Sequence, residues 1–345
     1  MTLRKEILEQ PQVLRRLLEQ QGPRAREIAR AIQTRRIDYI FLTARGTSDN
    51  AGLYAKYLWG AMNGLPIALA APSLFGIYHR PPRLHNALVV GISQSGQSPD
   101  IVQVVEEGRR QGAPTLAIVN EPDSPLAEAS EFVLDIRAGE EQAVAATKSY
   151  TAELMAIAML AAALADDDEG MQVLRRVPGL VDEVLALEGD IERAAERYRY
   201  MTQCIVLGRG YNYATAYEWS LKLKELTYVL AEPYSSADFR HGPIAVVERG
   251  FPVLAVTPAG AVHEDLLGLL QRLAEERRAE LVVVSNDPRS LALAQTPLSL
   301  PALLPEWISP LVAIVPGQLF CYYLTRAKAY DTEQPRGLQK VTRTR

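Results

Sequence analysis

The sequence predicts an α/β protein whose mostly parallel sheets are covered by helices, with the arrangement present twice. Two observations carry this. Short buried strand candidates alternate with helical segments along the chain, and landmarks of the first half return about 165 residues later. At 345 residues the chain is long enough for two cores.

Residues 1–34 place apolar side chains at Ile7, Val13, Leu14, Leu17, Leu18 and Ile28, which predicts two short helices split near Gly22-Pro23. IDYIFLTARG is a buried strand from Tyr39 to Leu42, closed at Gly46, and helical spacing follows through Leu53, Tyr57 and Leu58. NALVVGISQSG is a second strand. Pro99 suits a first helical turn, with Ile101, Val104 and Val105 as the apolar face behind it. PTLAIVN and EFVLDI are two further strands, and 147–164 is a long Ala/Leu/Met-faced helix ended by the acidic run from Asp166 to Glu169. The stretch 173–199 has the spacing of helical packing material, with Pro178-Gly179 as its one breaker.

The pattern then returns. Arg45-Gly46 corresponds to Arg209-Gly210 and Ile92-Ser93 to Val256-Thr257, both at an offset of 164. Val119-Asn120 matches Ser285-Asn286 at 166, and Glu153-Leu154 matches Gln318-Leu319 at 165. A long helix after Leu311 carries Pro316 as an expected kink. The organisation expected is N-terminal helices 1–34, a first domain 35–170, a helical connection 171–199, a second domain 200–329 and a tail 330–345.

Composition narrows the function. With 37 basic and 41 acidic residues the formal charge is −4, so there is no bulk attraction to nucleic acid or an anionic membrane. The start has no signal-peptide core, and the most apolar stretches fall short of the roughly 20 residues that a membrane span needs. Cys204 and Cys321 stand alone, and no His/Asp/Glu/Cys cluster has metal spacing. The expectation is a cytoplasmic protein needing no metal or cofactor, with no nucleic-acid or membrane partner.

The sharpest local signal is Ser93-Gln94-Ser95-Gly96-Gln97-Ser98-Pro99-Asp100, which follows a buried strand and opens a helix. Unpaired amides and a partial positive charge at such a helix start, with three hydroxyls around them, can hold a phosphate without a cation. The plainer alternative is a Ser-rich turn with Ser98 as N-cap. The loop Arg45-Gly46-Thr47-Ser48-Asp49-Asn50 adds Thr47 and Ser48 to the same sheet edge, and Gly46 lets the backbone pass close to a ligand. Neither loop is a GxGxxG or GxxxxGKS fingerprint, which argues against NAD and ATP. The equivalent loop of the second half, Val256 to Gly260, lacks the hydroxyls.

Glu218, Lys222 and Glu225 lie along one helical stripe, which on spacing alone reads as a solvated face with helix salt bridges. His241 sits in an Arg-His-Gly-Pro turn before the strand-like IAVV. There it is either a proton donor and acceptor or a turn histidine bonded to backbone. His79, His85 and His263 read as surface residues.

The motifs ARGTSDNAG, ISQSGQSPD, GEEQAVAATKSYTAEL, EWSLKLKELTYVLAEPYSSADFRHGP and DTEQPRGLQK together give the chain a resemblance to the sugar isomerase (SIS) family. Within that family it resembles the isomerase half of glutamine–fructose-6-phosphate aminotransferase. The resemblance covers nearly the whole chain and implies two tandem SIS domains, each a mostly parallel five-stranded sheet flanked by helices. It implies that Ser48, Ser93, Gln94, Ser95 and Ser98 hold the phosphate of a hexose 6-phosphate, and that Glu225 is the isomerising base. Glu218 and Lys222 stand as supporting residues. His241 becomes the ring-opening residue, contributed across the interface of a homodimer with a shared active site. Lys340 becomes a Schiff-base lysine, which makes the tail an active-site lid rather than a frayed end.

In one respect the chain departs from the aminotransferase. Thr2 follows Met1 and no cysteine precedes Cys204, so the expectation is the isomerase half without its glutaminase domain. The expected activity is therefore an amino-sugar phosphate isomerase/deaminase interconverting glucosamine 6-phosphate with fructose 6-phosphate and ammonia. The alternatives are an aminotransferase-like protein, a fructosamine-6-phosphate deglycase, or a non-catalytic sugar-phosphate sensor. The last has no use for Glu225 and Lys340.

Overall fold

A computed structural model of the protein describes residues 2–340. Among the described residues ten strands form two sheets: β1 Tyr39–Thr43, β2 Ile67–Leu69, β3 Ala87–Ser93, β4 Thr115–Val119, β5 Phe132–Asp135, β6 Gln203–Gly208, β7 Leu230–Ser235, β8 Pro252–Val256, β9 Glu280–Ser285 and β10 Thr296–Ser299. The first sheet runs β2-β1-β3-β4-β5 and the second β7-β6-β8-β9-β10, with every pairing parallel. The repeat is thus one of topology as well as sequence. The paired strands start at 39 and 203, 115 and 280, and 132 and 296, offsets of 164, 165 and 164. The central strands are buried on both faces, which is why they appear in the sequence as continuous apolar runs. The outer strands β2 and β7 are half exposed and carry no such run.

The chain divides into two compact units. The first comprises Glu9–Gln142 and Lys148–Pro178, with Gln339 and Lys340. Its core is centred on Phe41, Val89, Val104, Val105, Val119 and Leu126. The helix Lys148–Leu164, buried from Lys148 to Ala163, packs beside Gln10–Gln33 and Thr47–Asn63. Trp59 Nε1 donates to the Ile157 carbonyl at 3.0 Å, and Asn63 Nδ2 to that of Ala161. The second unit comprises the stretch up to Leu8, Ala143–Thr147 and Gly179–Leu338, around Leu207, Val253, Ala255, Leu270, Leu281 and Val283. Its helix Ser309–Ala327 lies within the one stretch, among the described residues, long and apolar enough to cross a membrane. The qualifying window is wholly buried in the protein, as a core helix is.

The structure corrects several local expectations. The N-terminal helices break at Glu9, and Gln10–Gln33 runs straight through Gly22-Pro23. Burial of Leu14, Leu17, Ala25, Ile28 and Ile32 along one face overrides the backbone hydrogen bond that Pro23 cannot make. At Pro178 the expected break is present: the helix Asp168–Leu174 ends, and Pro178 sits in the first turn of the next, Val177–Leu185, where its missing N–H would be unpaired anyway. In the helix Thr47–Asn63 the buried face is Tyr54, Leu58 and Trp59, while Tyr57 is exposed. IAVV is no strand: Pro243–Val246 is a single 3₁₀ turn. His263 is buried rather than at the surface, its Nε2 at 3.0 Å from Ser290 Oγ. Cys204 and Cys321 are both free and buried, and burial pushes both thiols up.

Candidate active site

In the first unit two loops, after β1 and after β3, lie at the carboxyl edge of the sheet. After β1, Gly46 takes φ 56°, open to glycine and strained for other residues, and opens the helix Thr47–Asn63. After β3, Gly96 takes φ 61°, and a Cβ there would lie 2.1 Å from Ser124 Oγ, so the loop can pass only as glycine. Ser93 Oγ accepts from Gly96 N at 3.1 Å and Ser95 Oγ from Gln97 N at 3.3 Å. Accepting leaves both O–H protons able to point at a ligand. Ser98 occupies the N-cap position of Pro99–Arg110, yet its hydroxyl makes no capping bond. The loop is pinned from behind, where Asn120 N donates to Gln94 O and Leu126 N to Gly96 O, each at 3.1 Å.

Two residues of the first loop have bonded partners outside it. Ser48 is buried and donates to Glu153 Oε1 at 2.8 Å, so its single proton is in use. Thr47 is half-buried at the first helical position. Arg45 reaches across to Asp100, whose side chain is 2% exposed, at 2.8 Å and ties the two loops together. Burial pushes the Asp49 carboxyl up, and Arg45 offsets part of that.

A cleft of about 660 Å³ opens beside the Ser-rich loop, lined by Gln94, Ser95, Gln97, Asn120, Glu140 and Lys340 among others. Lys340 is the basic residue in that lining, and its Nζ donates to Glu141 Oε2 at 2.7 Å. The Glu141 side chain is fully buried and also accepts from Ser149 N at 3.1 Å and Ser149 Oγ at 2.7 Å. Residues 341–345, the end of the expected lid, lie outside the described residues. Sequence reasoning assigned no role to Glu141, although the motif GEEQAVAATKS contains it.

The second unit holds the charged stripe, and two of its three members, Glu218 and Lys222, are shut off from solvent. Lys222 Nζ lies 3.4 Å from Glu218 Oε1 and 2.5 Å from Glu225 Oε2, with side-chain exposures of 1%, 0% and 23% for Lys222, Glu218 and Glu225. The apolar helix Ser309–Ala327 packs against the helix Tyr213–Lys222 that carries the first two. Spacing shows that charges share a face, but only the neighbouring helix decides whether water reaches it. Past Lys222 the chain widens into a π-helical turn, Leu223–Thr227, ended by Tyr228 at φ 57°. Such turns concentrate at functional positions. Here it carries Glu225, the accessible carboxylate of the stripe.

His241 is exposed and follows the five-residue helix Ser236–Arg240, its backbone N–H bonded to Asp238 O at 3.1 Å. In the second unit's counterpart of the Ser-rich loop, a carboxylate of the chain itself stands where hydroxyls are missing. Glu306 Oε2 accepts from Ala261 N at 2.6 Å and lies against Gly260.

The SIS domain model matches residues 35–163 and 201–323, one match on each sheet. A glutamine–fructose-6-phosphate aminotransferase (isomerizing) of Thermus thermophilus is 36% identical over 97% of this chain. The chain spans only 58% of that relative's length. Among solved structures, the C-terminal domain of glucosamine-fructose-6-phosphate aminotransferase from Francisella tularensis superposes with a TM-score of 0.87 at 29% identity, covering 97% of this chain and 98% of that one. A Silicibacter pomeroyi structure assigned as a phosphosugar isomerase gives 0.86 at 32% identity, covering 96% and 99%.

Proposed function

The chain belongs to the SIS-domain family, and on that premise we propose that it is an amino-sugar phosphate isomerase/deaminase, interconverting glucosamine 6-phosphate with fructose 6-phosphate and ammonia. The observation that carries the reading is Glu225, a reachable carboxylate held at 2.5 Å by a buried lysine. A base that moves a proton between adjacent carbons needs both access and a fixed position.

In this reading the Ser93, Ser95 and Ser98 hydroxyls and the helix-start amides hold the phosphate. His241, supplied by a second copy of the chain, gives a proton to the ring oxygen as the C1–O5 bond breaks and the O1 hydroxyl releases its own proton. Glu225 takes the C2 proton of the open aldehyde while O1 regains a proton, and the carboxyl, 23% exposed and able to exchange with water, then delivers a proton to C1, which turns the C2 amine into an iminium. Water then adds to C2 and ammonia leaves, giving the ketose. In the opposite direction, the Lys340 amine attacks the ketose carbonyl, water departs, and the Schiff base activates C2. Lys340 must first give up the proton it shares with Glu141.

One feature favours a second reading. Glu121, Asp123 and Glu140 line the cleft beside Ser95, which suits a substrate whose nitrogen carries a cationic group, as in deglycation of a fructosamine 6-phosphate. Assaying purified protein for ammonia and fructose 6-phosphate from glucosamine 6-phosphate tests the primary reading. Release of both supports it. Inertness on that sugar, with cleavage of a glycated-amine 6-phosphate, selects the deglycase. Binding of hexose phosphates with no turnover selects a sensor.

A further inference from the structure

His241 stands at the end of a helix only five residues long, Ser236–Arg240, too short to hold its own position. Phe239 anchors that helix in the core, and one carboxylate outside it binds both of its ends. Asp265, in the first turn of the helix His263–Glu275, accepts from Ser236 Oγ at the helix start through Oδ2. Through Oδ1 it accepts from Arg240 Nη1 at the helix end, at 2.5 Å. The second terminal nitrogen of the Arg240 guanidinium donates to the Asp265 carbonyl at 2.6 Å, so the arginine grips both side chain and backbone. Arg209, in the loop after β6, closes the cluster at 2.8 Å from Oδ2 and 3.3 Å from Ser236 Oγ. Inside the short helix, Ser235 Oγ accepts from Asp238 N and donates to Asp238 Oδ2.

We propose that Asp265 is a positioning residue for His241: by binding Ser236 and Arg240 together, it fixes the turn from which the imidazole is presented to the sugar ring. The inference rests on the reading of His241 as the ring-opening residue. Bonds from both ends of a short helix to one carboxylate leave that helix no freedom to rotate about the contact. Arg240 is covalently adjacent to His241, so any slack at Asp265 is carried directly to the imidazole. Displacements of about 1 Å at a reacting group are enough to lower a rate roughly a hundredfold.

The test uses two sugars that differ only in whether a ring must be opened. Fructose 6-phosphate closes through its 5-hydroxyl, whereas 5-deoxyfructose 6-phosphate lacks that hydroxyl and stays open. Exchange of the C1 proton with solvent deuterium, followed by NMR, reads the proton-transfer step on each. The D265N variant is expected to lose at least about tenfold on fructose 6-phosphate while its rate on the open-chain analogue stays within about twofold. R240Q, which releases the same contact from the other side, is expected to show the same asymmetry, and H241N is the reference for that pattern. If D265N and R240Q slow both sugars equally, or neither, the positioning role is overturned while the functional reading stands. If the wild type exchanges neither sugar, or H241N slows both alike, the functional reading itself fails and the inference falls with it.

Discussion

Lys340 and Glu141 form an ion pair at 2.7 Å in which the lysine is a quarter exposed and the carboxylate wholly buried. Two bonds from Ser149 fix the carboxylate from behind, so the contact sets where the Lys340 amine rests beside the Ser-rich loop. A lysine so placed is expected to be captured by a ketose. Borohydride reduction in the presence of fructose 6-phosphate should give one adduct per chain, mapped to Lys340 by peptide mass, and none in K340R. An adduct on another lysine would contradict the assignment.

Lys222 places its positive charge between the carboxylates of Glu218 and Glu225, at 1% exposure. Replacing it with Met keeps most of the volume but takes the cation away from the buried Glu218 carboxylate. Breaking one side of a buried ion pair costs about 3–5 kcal/mol. Urea unfolding of K222M should show a loss of that order, while the double variant E218Q/K222M recovers part of it. A K222M protein as stable as wild type would show that the array is not charged as described.

The Ser-rich loop has hydroxyls that can be removed without removing a helix cap, since Ser98 makes no capping bond and Ser95 serves Gln97 N inside the loop. Hydrogen bonds to a charged group contribute about 1.5–3 kcal/mol each. The S95A/S98A variant should therefore bind hexose 6-phosphate at least about a hundredfold more weakly by calorimetry, with unchanged thermal stability. Wild type should bind one phosphate per chain, because Glu306 already takes the Ala261 amide in the second unit.

Burial alone would raise the Asp265 carboxyl. The hydrogen bonds from Ser236 and Arg240, with the nearby Arg209, outweigh it and hold the carboxyl below its ordinary 3.8. A carboxylate depressed in this way stabilises the fold fully above its unfolded-state value, and the contribution is lost as pH falls through the folded-state value. Wild type should therefore be more stable to urea than D265N at pH 6, and the difference should shrink as pH falls below 3.8. A difference that does not shrink across that acid range would contradict this.

Much of the fold was legible because the buried central strands β3, β4, β8 and β9 leave continuous apolar runs in the sequence, and because the duplication repeats them. Edge strands β2 and β7 left no such signal. The breaker misled at Pro23, where packing makes proline harmless, and held at Pro178, which opens a new helix. At the candidate site, the Ser-rich loop was legible because its chemistry is local. The burial of Glu218 and Lys222, the Glu141 contact and the Asp265 cluster were not. Each depends on a partner 25 to 199 residues away or on a covering helix, and no spacing rule reaches that far.

The most direct measurement of the central claim, that Glu225 moves a proton between C1 and C2, is turnover of glucosamine 6-phosphate in D₂O by wild type and E225Q. Wild type should yield ammonia and fructose 6-phosphate carrying deuterium at C1. E225Q should bind the sugar with near wild-type affinity and form product at least about a hundredfold more slowly. Deuterium incorporation by E225Q at the wild-type rate would contradict the account.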